Sequence, residues 1–133
     1  MKSLFADSWF YIALLDESDE HHRRAAEFAA RSTARLVTTR WVLLEVANAL
    51  CATASRVEAA TFLQRIENVR GVKVIGQSDS LYERGLDLYA KRPDKAWSLT
   101  DCISFVVMRE ENLREALTGD RHFAQAGFGS MFA

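Results

Sequence analysis

Leu4-Phe5-Ala6-Asp7-Ser8 reads as a buried first strand over residues 4–6, closed by an acid, with a short helix following over 9–15. The same alternation continues along the chain. Short apolar runs at 36–38, 72–75 and 116–118 read as strands, and the tail over 129–132 as a short last one. Longer patterns at 19–31, 42–50, 57–66, 81–90 and 100–108 read as helices, with Ala25, Ala26, Phe28 and Ala29 on the inner side of the first of these. The single proline, Pro93, sits in a polar loop over 91–95. Strands alternating with helices predict an α/β domain around a mainly parallel sheet. Ligands of such sheets bind beyond the carboxyl ends of the strands, near a switch in strand order.

The 133 residues suit one domain spanning 1–133. A hydrophobic fraction of 49% is enough for a core without disulfides or structural metal. Seventeen basic residues against eighteen acidic ones leave a net charge of -1, so contact with nucleic acid has to come from a local patch. Cys51 and Cys102 form no close-spaced pair, which argues against a zinc ribbon and for a reducing cytoplasm. No apolar stretch approaches the ~18 residues of a membrane span, and the N-terminal run is too short for a signal peptide.

Four acids stand out by position. Asp7 ends the first strand and Asp120 follows the fourth through Gly119. Asp101 opens the helix of Ile103, Phe105, Val106, Val107 and Met108, and Glu45 lies inside the apolar helix over 42–50. Each has an ordinary reading as well. Asp7 and Asp120 suit helix N-caps, and Ser98-Leu99-Thr100-Asp101 resembles a capping box. Glu45 has no Lys or Arg three or four positions away, and a hydrogen bond to Asn48 is its structural alternative to a metal. A buried carboxylate without a partner costs several kcal/mol. Taken together, four acids converging on one place would repel and raise one another's pKa values. A divalent cation relieves that repulsion, and hard ions such as Mg²⁺ prefer oxygen donors. Such an ion also activates water and stabilises charge on a phosphoryl group, which is phosphodiesterase chemistry.

These residues resemble the PIN-domain family, and within it the bacterial VapC-type toxins of toxin–antitoxin pairs. Leu4-Phe5-Ala6-Asp7-Ser8 resembles the family's first strand, catalytic Asp and following Ser or Thr. Leu44-Glu45-Val46 resembles the helix with the second acid, and Trp97-Ser98-Leu99-Thr100-Asp101 the segment with the third. Ala116-Leu117-Thr118-Gly119-Asp120-Arg121-His122-Phe123, followed by Ala126-Gly127-Phe128, resembles the segment with the fourth. The last two are the specific ones. The resemblance implies an α/β/α sandwich and Mg²⁺ or Mn²⁺ held by Asp7, Glu45, Asp101 and Asp120. It further implies endonucleolytic cleavage of RNA, a homodimer, and inhibition by a small antitoxin. A solitary nuclease of the same family, without an antitoxin, is the nearest alternative. The family often has Asn two residues after its first Asp, where Trp9 stands here. Ser8 reads either as a group that orients a carboxylate or a metal-held water, or as a plain helix-cap hydroxyl.

His21, His22, Arg23, Arg24, Arg31, Arg35 and Arg40 concentrate positive charge, either as a solvated face or as a phosphate-gripping rim. His122 reads as a surface or packing residue, because a metal-water mechanism needs no histidine. Trp9, Phe10 and Tyr11 could stack bases but suit core or dimer packing better. Asp16, Asp19 and Asp94 read as turn or cap residues. The apolar helices over 42–50 and 57–66 suggest a dimer face that also serves a partner peptide. A receiver-like signalling domain would want adjacent acids after the first strand and a late Lys. A haloacid-dehalogenase-like phosphatase would want a second Asp at position 9. Neither pattern is present. A non-catalytic binding module is the remaining rival from another class.

Overall fold

Strands buried on both faces carry unbroken apolar runs, and β1 (Ser3–Ala6) is one: Leu4, Phe5 and Ala6 are all buried. In the computed structural model, which describes residues 2–133, β1 is the middle strand of five. The others are β2 (Arg35–Thr39), β3 (Val72–Ile75), β4 (Glu115–Leu117) and β5 (Gly129–Ser130). Their order is β3-β2-β1-β4-β5 and every pairing is parallel. Chain order therefore reverses at β1, with β2 on one side and β4 on the other. The crevice of a doubly wound sheet opens at such a point, beyond the strands' carboxyl ends.

Two helix groups complete a three-layer α/β/α sandwich. Helices α1 (Ser8–Leu15), α2 (His22–Arg31), α3 (Arg40–Leu50) and α4 (Arg56–Arg65) pack on one another, and a short 3-10 turn (Ile66–Asn68) ends α4. Helices α5 (Asp79–Lys91), α6 (Leu99–Glu110) and α7 (Arg121–Gln125) form the second group. Gly85 lets α5 and α6 approach closely: a Cβ there would lie 3.2 Å from the Ile103 Cα, inside ordinary contact. Phe123 packs between Phe5 and Phe105, with ring centroids 6.2 and 5.0 Å away, so α7 is locked onto both β1 and α6.

Local chemistry sets the boundaries. Thr39, Ser78 and Ser98 cap α3, α5 and α6 by accepting from Val42, Leu81 and Asp101 backbone N–H groups. The second helix begins at His22 rather than at 19, because Asp16 and Asp19 take turn bonds from Ser18 and His21 (3.0 and 2.8 Å). Within it Ala25 is buried but Ala29 is exposed. The third helix is one-sided rather than buried all round. Leu44 is 52% exposed and Asn48 and Ala49 also face solvent, since only the other side meets α1, α4 and the sheet. Helix α7 has no counterpart among the helices read from sequence; five residues are too few to show a period. Both cysteines are free, Cys51 exposed and Cys102 buried. No helix among the described residues is long and apolar enough to cross a membrane.

Candidate active site

The register of β1 and β4 puts Ala6 beside Leu117, so the next residues, Asp7 and Thr118, emerge side by side. The Thr118 hydroxyl donates to Asp7 Oδ2 at 2.8 Å and accepts from the Asp120 backbone N–H at 3.0 Å. One buried hydroxyl thereby ties the first acid to the loop carrying the fourth. Asp7 occupies the cap position of α1, yet its side chain makes no cap hydrogen bond. The ordinary capping role therefore does not account for it. Gly119 completes the loop: a Cβ there would come within 2.6 Å of the Trp9 ring, so the backbone rests directly on the indole. Trp9 thus supports the Asp120 loop, and Phe10 and Tyr11 are buried in the core.

Asp101 and Asp120 do cap helices. Ser98 and Asp101 form a reciprocal capping box, with Ser98 N–H donating to Asp101 Oδ2 at 3.1 Å. Asp120 Oδ1 accepts from the His122 N–H at 2.9 Å. Capping and clustering coincide here, because α6 and α7 both start at the same edge of the sheet. His122 turns its ring toward both acids, with Nδ1 3.1 Å from Asp101 Oδ2 and 3.4 Å from Asp120 Oδ1. Donor atoms of Asp101, Asp120 and His122 all lie within 4.8 Å of one another.

Glu45 reaches the same place from α3. It is half-buried, Asn48 is exposed, and the hydroxyls of Ser8 and Thr100 face the Glu45 carboxylate instead. Its charge acts on Asp7, and the charges of Asp101 and Asp120 act on it. All four acids named from the sequence, together with Ser8, are thus brought to one edge. Thr118 and Thr100 were not singled out as site residues. A threonine two positions before Asp120, at the end of a buried strand, was the available clue for the first. His122 belongs to the cluster rather than to the surface or packing role read from the sequence.

Burial pushes the Asp7 carboxyl from an ordinary 3.8 up to about 7; the Thr118 bond pulls it down, while the Asp101 and Glu45 charges push it up. Burial, with like charge added, also raises Glu45 and Asp101. Among the described residues no Lys or Arg pairs with any of the four acids. Of the basic residues outlined from sequence, Arg23 pairs with Glu27, Arg40 with Glu67, and Arg24 lies over Phe132. Crowded oxygen donors without an organic cation fit a hard divalent ion.

The PIN-domain family model matches residues 4–129, nearly the whole chain. The chain belongs to the PIN-domain family. The chain is 29% identical over 128 residues to the "23S rRNA-specific endonuclease VapC20" of Mycobacterium tuberculosis, in both strain CDC 1551 / Oshkosh and strain ATCC 25618 / H37Rv. That alignment covers 94% of this PIN domain and 95% of the relative. The crystal structure of VapC20 from the same organism, described as a sarcin-ricin loop cleaving toxin, superposes with a TM-score of 0.85 at 26% identity. It too covers 94% of this chain and 95% of its own.

Proposed function

We propose that this single-domain PIN protein is a divalent-metal-dependent endoribonuclease acting as the toxin of a toxin–antitoxin pair. The observation that carries the reading is the meeting of Asp7, Glu45, Asp101 and Asp120 at the β1–β4 switch point with no Lys or Arg among them. Full-length similarity to a 23S rRNA-specific endonuclease supports RNA as the substrate class.

In this reading the four carboxylates hold Mg²⁺ or Mn²⁺. When bound, the ion supplies Lewis-acid polarisation of the phosphodiester and a nucleophilic water at neutral pH. The protein's own groups prepare the place. Thr118 fixes the Asp7 carboxylate and leaves its other oxygen for the ion. Ser98 orients Asp101 through the capping box, and the His122 N–H does the same for Asp120. The Ser8 and Thr100 hydroxyls lie toward Glu45 and favour its charged form. Preset donors avoid the cost of ordering them when the ion and substrate arrive.

The test is cleavage of a structured RNA with Mn²⁺, with Mg²⁺ and with chelator. Cleavage is expected only with metal, and Asp101→Asn should lower it by ~100-fold or more. Metal-independent cleavage, or full activity in the variant, would remove the reading. A homodimer is part of the proposal. Two separate sets of exposed apolar side chains support it: Leu44 and Val57 on α3 and α4, and Tyr82, Leu86 and Tyr89 on successive turns of α5, all more than two-fifths exposed. An apolar hollow lined by Phe10, Leu14, Phe28 and Phe62 suits a side chain of the antitoxin.

A further inference from the structure

Among the described residues His122 brings a ring nitrogen to the acids, and its placement goes beyond packing. Its side chain is 20% exposed, wedged between the two helix-capping acids. Nδ1 faces Asp101 Oδ2 at 3.1 Å and Asp120 Oδ1 at 3.4 Å. Donors at adjacent corners of an octahedron with bonds of ~2.1 Å lie about 3 Å apart. The two spacings from Nδ1 are therefore ones that neighbouring ligands of a single ion take, and one donor atom from each of the three residues lies within 4.8 Å of the others. The remaining oxygens, Asp101 Oδ1 and Asp120 Oδ2, accept no hydrogen bond among the described residues.

We propose that His122 is a nitrogen ligand which, with Asp101 and Asp120, makes this centre select a first-row transition ion over Mg²⁺. The inference rests on the metal-dependent reading above and narrows which ion it uses. Mg²⁺ favours an all-oxygen shell and dehydrates reluctantly. Imidazole shifts preference toward transition metals, along the order in which their affinities for mixed nitrogen and oxygen sites rise. The other role open to His122 is a strut that hydrogen-bonds Asp101 and Asp120 and holds them in place. A strut would help every ion alike.

The two roles separate with Mn²⁺ as a spectroscopic probe. Full-length wild type, His122→Asn and His122→Gln are loaded with Mn²⁺ and examined by pulsed electron paramagnetic resonance. Affinities for Mn²⁺ and Mg²⁺ are measured by calorimetry in parallel. Directly bound ¹⁴N modulation is expected in the wild type and should vanish in both variants. The preference for Mn²⁺ over Mg²⁺ should fall by roughly fivefold or more, because an amide oxygen or nitrogen is a poor substitute for imidazole. Bound Mn²⁺ without nitrogen modulation, or equal loss of affinity for both ions, overturns the proposal and leaves the nuclease reading standing. Wild type that binds neither ion removes both.

Discussion

At the amino ends of the strands Lys2 faces Glu115 and Lys73 faces Glu111 at 2.7 Å, as opposite charges in which each lysine is well exposed and each glutamate partly so. At the carboxyl ends of the same sheet Asp7, Glu45, Asp101 and Asp120 meet as like charges, partly or fully buried. Exposed pairs of the first kind contribute about 0–1 kcal/mol, since water already solvates both partners. The second kind costs stability in the absence of a cation, because burial and repulsion act in the same direction. One sheet therefore places its energetically minor charges at one end and its strained ones at the switch point. The metal centre proposed above lies at the end where like charges meet.

The sharpest way to break that contrast is pH. Asp7 keeps its proton up to about 7 in the folded chain, whereas an unfolded Asp loses it near 4. Between those values the folded state binds more protons, so metal-free stability falls as pH rises through the window. The contribution is fully present below about pH 4 and gone above about pH 7. Each pKa unit is worth about 1.4 kcal/mol, so Asp7 accounts for at most ~4 kcal/mol. Glu45 and Asp101 shift in the same direction and add to the slope. Chelator-treated protein melted across pH 4–8 should show the decline, and Asp7→Asn should flatten it. A wild-type melting temperature that rises across the window would contradict the raised carboxyl.

Metal should reverse the penalty. Mn²⁺ or Mg²⁺ at a hundredfold excess over its dissociation constant should stabilise the wild type by roughly 2.7 kcal/mol through mass action. Asp7→Asn lacks an anionic donor and should gain less at the same ion concentration. Equal thermal shifts in the two proteins would take Asp7 out of the centre.

Thr118→Val tests the tie between the two acids. It removes the hydroxyl that donates to Asp7 and accepts from Asp120 N–H. Leaving such buried groups without partners costs about 1–3 kcal/mol, read as a lower denaturation midpoint in chelator at neutral pH. An unchanged midpoint would mean that Thr118 only fills space. Glu111→Ala, at the opposite end, carries the smallest expected effect. It should cost less than about 1 kcal/mol and depend on salt. A larger loss would erase the contrast between the two ends.

Much of this was legible in one dimension, because strand burial and helix capping are local. The apolar run at Leu4-Phe5-Ala6, the capping pattern Ser98–Asp101 and the acid after β4 each carry their reading within a few residues. The outer face of α3 was not legible. Leu44 looks like any buried leucine until the packing leaves it half exposed, because composition does not say which side a neighbour covers. His122 likewise looks like a surface residue until α6 and α7 start at the same edge and bring Asp101 against its ring.

The alternation of strands and helices, the positions of the four acids at element ends or on a helix, and the lack of a Lys or Arg one turn from Glu45 can all be read along the chain. Those properties follow from periodicity and short-range hydrogen bonding, which act over a few residues. That β4 lies beside β1 rather than at an edge of the sheet is a property of the folded chain. That placement sets Thr118 against Asp7 across 111 positions of chain. It turns separate caps and strand ends into one charged cluster. The physical reason is range: desolvation and repulsion among carboxylates depend on distance in space, and the strand order sets that distance.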